Sequence, residues 1–168
     1  MRMKAKIAIM VLALAFVCHS CGIYSFSGAS IPAEAKTVSV AYFPNHAQLV
    51  NPLLSNNLTN ALRDAMTNQT TLDMVESGGD IAFEGEITDY KTTPVAITGQ
   101  TAAMNRLTVT VNVRFSNRLD ESKDFESSFS RYEDYPSDQD LTAVQESLTA
   151  TIVDQLVEDI FNKALVNW

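Results

Sequence analysis

Residues 106–115 leave the chain little choice of conformation. Leu107, Val109, Val111, Val113 and Phe115 alternate with Arg106, Thr108, Thr110, Asn112 and Arg114. Period two in β-branched and aromatic residues predicts a strand with one greasy face and one wet face. Such a strand needs neighbours along its edges and a second layer over its apolar side.

The neighbours are legible on both sides. Upstream, Ser77-Gly78-Gly79-Asp80 forms a turn, after which Ile81, Phe83, Gly85 and Ile87 alternate with Ala82, Glu84, Glu86 and Thr88. Downstream, residues 117–123 turn into a strand whose Phe125 and Phe129 face inward while Glu126, Ser128 and Ser130 face out. Three consecutive strands joined this way predict an antiparallel meander. A further strand over 36–43 sets Val38, Val40 and Tyr42 against Thr37, Ser39 and Ala41, and Pro44-Asn45 ends it, because proline cannot donate to a ladder.

Two helices supply the second layer. Asn51-Pro52 is a start signal, and Leu54, Leu58, Ala61, Leu62 and Ala65 follow at helical spacing to about Gln69. The opposite face holds Asn56, Asn57, Asn60 and Thr67, so burial rather than propensity must hold this helix. Residues 70–75 read as a link or a short strand. Ser137 and Asp140 have capping-box spacing. Leu141, Val144, Leu148, Ile152, Leu156, Ile160 and Ala164 then form a stripe, widened by Val153, Val157 and Phe161. A helix from Asp138 to about Val166 would run roughly 40 Å. The expected fold is α+β: a two-layer sandwich with a four-stranded, mostly antiparallel sheet and two helices on one face, in the order β-α-β-β-β-α.

The start of the chain sets its compartment. Arg2, Lys4 and Lys6 precede an unbroken apolar run from Ile7 to Val17, then Cys18-His19-Ser20-Cys21-Gly22. A charged lead, a run of about a dozen apolar residues and small residues at the end predict a secretory leader, too short to span a bilayer. Ser20 before Cys21 suits a lipobox, whereas bulky Val17 before Cys18 does not. Residues 1–20 are therefore expected to be a lipoprotein signal, Cys21 the lipidated first residue, 21–35 a tether and 36–168 the domain. An ordinary cleaved leader with a free thiol is the other reading. Two or three acyl chains hold a protein firmly to a membrane.

Without the leader, nine basic residues face 20 acidic ones, a net charge of −11. That sign argues against nucleic acid as a partner and against adhesion to anionic headgroups. Charged residues are only 19% of the chain, so Asn, Thr, Ser and Gln must carry much of the surface.

Catalytic chemistry is scarce. His46 is the one histidine after the leader, beside a Pro-Asn turn without a nucleophile elbow. Glu84 and Glu86 share a strand face, as solvated charges commonly do. No phosphate loop, dinucleotide fingerprint or zinc spacing occurs, so neither enzymatic activity nor a cofactor or metal is expected. Two features suit binding instead. Arg106 and Arg114 lie on the wet face with Arg118 nearby, placed either to meet phosphates or to pair with Glu84, Glu86 or Glu126. The apolar loop 95–103, with Val95 and Ile97 near its tip, is long for a hairpin.

The opening Cys21-Gly22-Ile23-Tyr24-Ser25-Phe26-Ser27-Gly28, the strand Val38-Ser39-Val40-Ala41-Tyr42-Phe43-Pro44-Asn45 and the strand from Arg106 to Phe115 resemble the LptE family. These are outer-membrane lipopolysaccharide-assembly lipoproteins, and the first two stretches look like the Bacteroidetes-type members. The resemblance implies a two-helix, four-stranded sandwich that plugs the β-barrel LptD and helps pass lipopolysaccharide to the outer leaflet. It also implies lipopolysaccharide contact near Arg106, Arg114, Arg118, Val95 and Ile97. A free periplasmic carrier lipoprotein holding a lipid or peptide is the rival expectation, and would need a gap between helices and sheet.

Overall fold

The alternation at 106–115 is part of a longer strand that pairs on both sides. A computed structural model of the protein describes residues 31–49, 51–95 and 104–166. The leader, Cys21, most of the tether, and Ile97 with the rest of loop 96–103 lie outside the described residues. The elements are β1 (Thr37–Val40), α1 (Leu54–Gln69), β2 (Asp73–Val75), β3 (Ile81–Val95), β4 (Met104–Asn117), β5 (Phe125–Pro136) and α2 (Leu141–Phe161). A 3-10 turn, Glu121–Lys123, joins β4 to β5, and a π-helical turn, Asn162–Val166, continues α2.

The sheet order is β2-β1-β3-β4-β5, with β3, β4 and β5 forming the expected antiparallel meander. Two expectations are corrected. The sheet has five strands, and it is mixed, because β1 runs parallel to both β2 and β3. The added strand, Asp73-Met74-Val75, is too short to show an alternation. It forms because α1 carries the chain back alongside β1, the long crossover that parallel pairing requires. A bulge between Ile87 and Asp89 also shifts the phase of β3. Ile87 and Tyr90, three residues apart, are therefore both buried.

The expected cap at Asn51 is corrected: α1 starts at Leu54, and its cap position falls to Leu53 without a side-chain hydrogen bond. Asn51 instead organises the turn ahead of the helix, its Oδ1 accepting from Leu53 N–H at 3.1 Å. Leu54, Leu58, Leu62, Ala65 and Met66 turn inward. Buried Thr59 accepts from Phe43 N–H at 3.1 Å, and Arg63 donates to the Val40 carbonyl at 2.8 and 3.2 Å, so the helix is pinned to the end of β1. At α2 the expected Ser137–Asp140 capping box gives way to Asp140 as the cap. Its carboxylate accepts from Thr142 N–H at 2.8 Å and Oγ1 at 2.7 Å. Residues 136–139 are already used in a turn, with Gln139 N–H donating to the Pro136 carbonyl at 3.1 Å. The helix therefore starts three residues later than expected.

Both helices lie on one face of the sheet, and the layer between is filled. Leu54, Leu58, Leu62, Met66, Ile152 and Leu156 pack with Phe43, Ile81, Phe83, Ile87, Leu107 and Phe115, each under 2% exposed. Phe83, Phe115 and Phe125 are register neighbours on three strands. Their rings contact edge-to-face and then stacked, with centroids 5.2 Å apart in each pair.

One carboxylate holds the turn before β3. Asp80 Oδ2 accepts from Lys36 N–H and Thr37 N–H at 3.0 Å each and from Thr37 Oγ1 at 2.9 Å, while Asp80 N–H donates back to Thr37 Oγ1 at 2.9 Å. The Lys36 amide first, then the Thr37 hydroxyl and amide, lower its pKa below the usual carboxylate range. A folded pKa below the unfolded one contributes stability above the ordinary carboxylate range, and that contribution is lost as pH falls through the lowered value. Asp80→Asn is expected to flatten the acid side of the stability–pH curve. Urea midpoints measured between pH 7 and pH 2.5 test this; parallel curves for the two proteins would contradict it.

Candidate functional site

The sheet face away from the helices is the surface the fold leaves open, and it is polar along its length. Register sets its pairs across β4 and β5: Arg106 with Asp134, Thr108 with Tyr132, Thr110 with Ser130, Asn112 with Ser128 and Arg114 with Glu126. Hydroxyls and an amide hold the middle. Thr110 and Ser130 share a hydrogen bond of 3.0 Å, and Asn112 Nδ2 donates to Glu126 at 2.8 Å.

The arginines singled out by the sequence all have partners here. Arg106 donates from Nε and Nη2 to the two Asp134 oxygens at 2.7 and 2.9 Å, and its guanidinium lies 3.6 Å over the Tyr132 ring. This fork-to-fork bond raises the Arg106 pKa and holds the Asp134 carboxyl below its usual range. Arg114 lies between Glu126 at 3.5 Å and Glu84 at 3.9 Å. Arg118 donates to the Gly78 carbonyl at 3.1 Å and sits off this row, at the turn that Asp80 organises. The structure thus brings Arg106 and Arg114 onto one face, about eight residues apart on β4, and leaves Arg118 at the sheet's end. Val95 ends β3 opposite Met104, half-buried. Exposed His46 comes within 3.6 Å of Glu86, a solvated pair at the rim of the face.

No local pattern marks Asp134 and Tyr132 as the partners of Arg106. Asp134 reads as a turn residue until β5 is known to run on to Pro136; once it does, counting back from the Phe115–Phe125 pair places it opposite Arg106. Among the described residues no group of three or more His, Cys, Asp or Glu side chains is arranged to hold a metal, and no helix is long and apolar enough to cross a membrane.

The family model for lipopolysaccharide assembly, LptE, matches residues 35–164. The chain belongs to the LptE family. LptE proteins are non-enzymatic outer-membrane lipoproteins of lipopolysaccharide transport and cell-envelope biogenesis. No curated protein sequence matches the chain. Among solved structures, a minor lipoprotein from Acinetobacter baumannii is 15% identical, with 77% of this chain and 91% of that one covered at a TM-score of 0.51. A hypothetical protein from Chlamydia trachomatis is 10% identical, with 77% and 98% covered at a TM-score of 0.50. At such identities the likeness establishes the fold alone.

Proposed function

We propose that this LptE-family protein is anchored through Cys21 to the outer membrane, faces the periplasm, and plugs an LptD-type β-barrel that delivers lipopolysaccharide to the outer leaflet. The supporting observation is the helix-free sheet face, where hydroxyls, amides and internally neutralised ion pairs replace free charge. Barrel lumens are polar. A partner enclosed there gains from Thr, Ser and Asn hydrogen bonds, and already-paired charges need little water. The filled helix–sheet layer also suits a plug better than a carrier, which needs room for its cargo. Contact of lipopolysaccharide phosphates with Arg106 or Arg114 would proceed by exchange for Asp134, Glu84 or Glu126, with Arg118, Val95 and Ile97 as further contact candidates.

The test is recovery of the untagged barrel with the tagged, lipidated protein in detergent. Thr110→Glu sets a charge at the centre of the face, and is expected to cut barrel recovery about tenfold, equivalent to about 1.4 kcal/mol, without shifting thermal unfolding. Recovery of the wild-type protein alone, with barrel assembly unchanged on its depletion, would refute the plug. Mass spectrometry of the mature chain tests the diacylglycerol on Cys21.

A further inference from the structure

We infer that the outer edge of β5 receives an extended, basic segment of another protein as a sixth strand, lying between β5 and α2. β5 closes one side of the sheet, and among the described residues no strand pairs with its outer backbone groups; only the terminal Pro136 carbonyl is taken, by Gln139 N–H. It runs for 12 residues, Phe125–Pro136, with an unbroken register to β4. Soluble proteins blunt long edges with bulges, lysines, inward-pointing charges or internal prolines, because an open row of N–H and C=O groups recruits other strands. Of these β5 has only the inward charges Arg131 and Glu133. β5 has no lysine, and its one proline is the last residue.

Two features favour an incoming strand. A cavity of about 400 Å³ runs along this edge, lined by Ser130 to Asp134 on the strand and Gln155 on α2. The charges that point from the strand toward the helix layer are already engaged. Arg131 is forked onto the two oxygens of Asp159, and Glu133 accepts from Gln155 Nε2 at 2.9 Å. Neither repels a backbone laid beside it. A trough between an edge strand and a helix is the geometry in which extended peptides add to sheets.

Charge selects the occupant. The domain's excess of 19 acidic over nine basic residues makes two copies repel, while it attracts a segment carrying Lys or Arg. The main chain of that segment supplies the pairing, and its alternate side chains fall on the Tyr132 side and the Gln155 side. This holds whether or not the partner is a barrel.

Exposed Ser128, Ser130 and Tyr132 offer the test. Each is replaced in turn by the photocrosslinker p-benzoylphenylalanine in the full lipidated chain, in cells, and the adducts are mapped by mass spectrometry. Strand addition predicts adducts within one basic segment of one partner, stepping two partner residues for each two-residue step along β5. Adducts without such a register, adducts only between two copies, or no adducts would overturn the inference. A second arm adds lysines at the edge through Ser128→Lys with Ser130→Lys, and expects adduct yield at position 132 to fall about fivefold. An unchanged yield from a folded variant also counts against strand addition. The barrel reading fails separately, through the co-purification result.

Discussion

Phe115→Ala is expected to remove about 3–5 kcal/mol from the unfolding free energy. Phe115 is 1% exposed and sits in the middle of the row Phe83–Phe115–Phe125, touching one ring edge-on and stacking on the other. Truncation removes the transfer free energy of the ring, leaves a cavity under α1 and α2, and breaks two aromatic contacts of about 0.5–1.5 kcal/mol each. A domain of this size has about 5–15 kcal/mol in total, so the variant should be close to unfolding at 37 °C. Phe125, half-buried at the end of the row, should cost less than half as much when replaced by alanine. Urea unfolding followed by circular dichroism separates the two. If Phe115→Ala stays within about 1 kcal/mol of wild type, the aromatic row is not the centre of this core.

That row was legible because period-two patterns specify which side chains share a face, and the turns specify which strands are neighbours. Phe115 and Phe125, assigned inward from sequence, meet across β4 and β5. What stayed hidden depended on counts that local pattern does not carry. β2 has three residues and, among the described residues, pairs only with β1, more than thirty residues earlier. Local pattern therefore leaves 70–75 open between a link and a short strand and cannot count it into the sheet. The extra residue at the Ile87/Asp89 bulge moves Tyr90 into the core, although uninterrupted alternation would put it outside. Asp140 and Ser137 are equally good caps in sequence, and the choice fell to Asp140 because the turn at 136–139 consumed the earlier position.

The open face shows the same division. Thr108, Thr110 and Asn112 were identifiable as its wet surface, but the state of its arginines was not. Arg114 pairs with Glu84 and Glu126 and Arg106 with Asp134 only because strand register opposes them. A one-residue slip would send those carboxylates to the other side of the sheet. Free cations ready for phosphate and cations already paired have the same sequence signature, and their register separates them.

Gly85→Ala is expected to be the most damaging single-methyl addition on the open sheet. A Cβ built at Gly85 would stand 2.2 Å from the Asn112 carbonyl oxygen and 2.6 Å from Phe43 Cε1. The first contact is backbone in the central β3–β4 ladder, so relief requires the two strands to part where Gly85 opposes Val113. The second is the ring of Phe43, fully buried and fixed by the amide it donates to Thr59. Neither neighbour is a flexible side-chain end that can swing aside. Overpacking of a tight site costs about 1–3 kcal/mol and sometimes more, and a backbone collision belongs at or above the upper value. Gly78 gives the comparison: its φ of 70° strains any side chain, but nothing lies within 4 Å of its added Cβ, so Gly78→Ala should cost only about 1–2 kcal/mol, the left-handed backbone term. Paired urea titrations should therefore place Gly85→Ala well below Gly78→Ala in midpoint. The reverse order would mean that β3 and β4 yield at Gly85, and that the close approach of Phe43 to the ladder does not constrain the sheet.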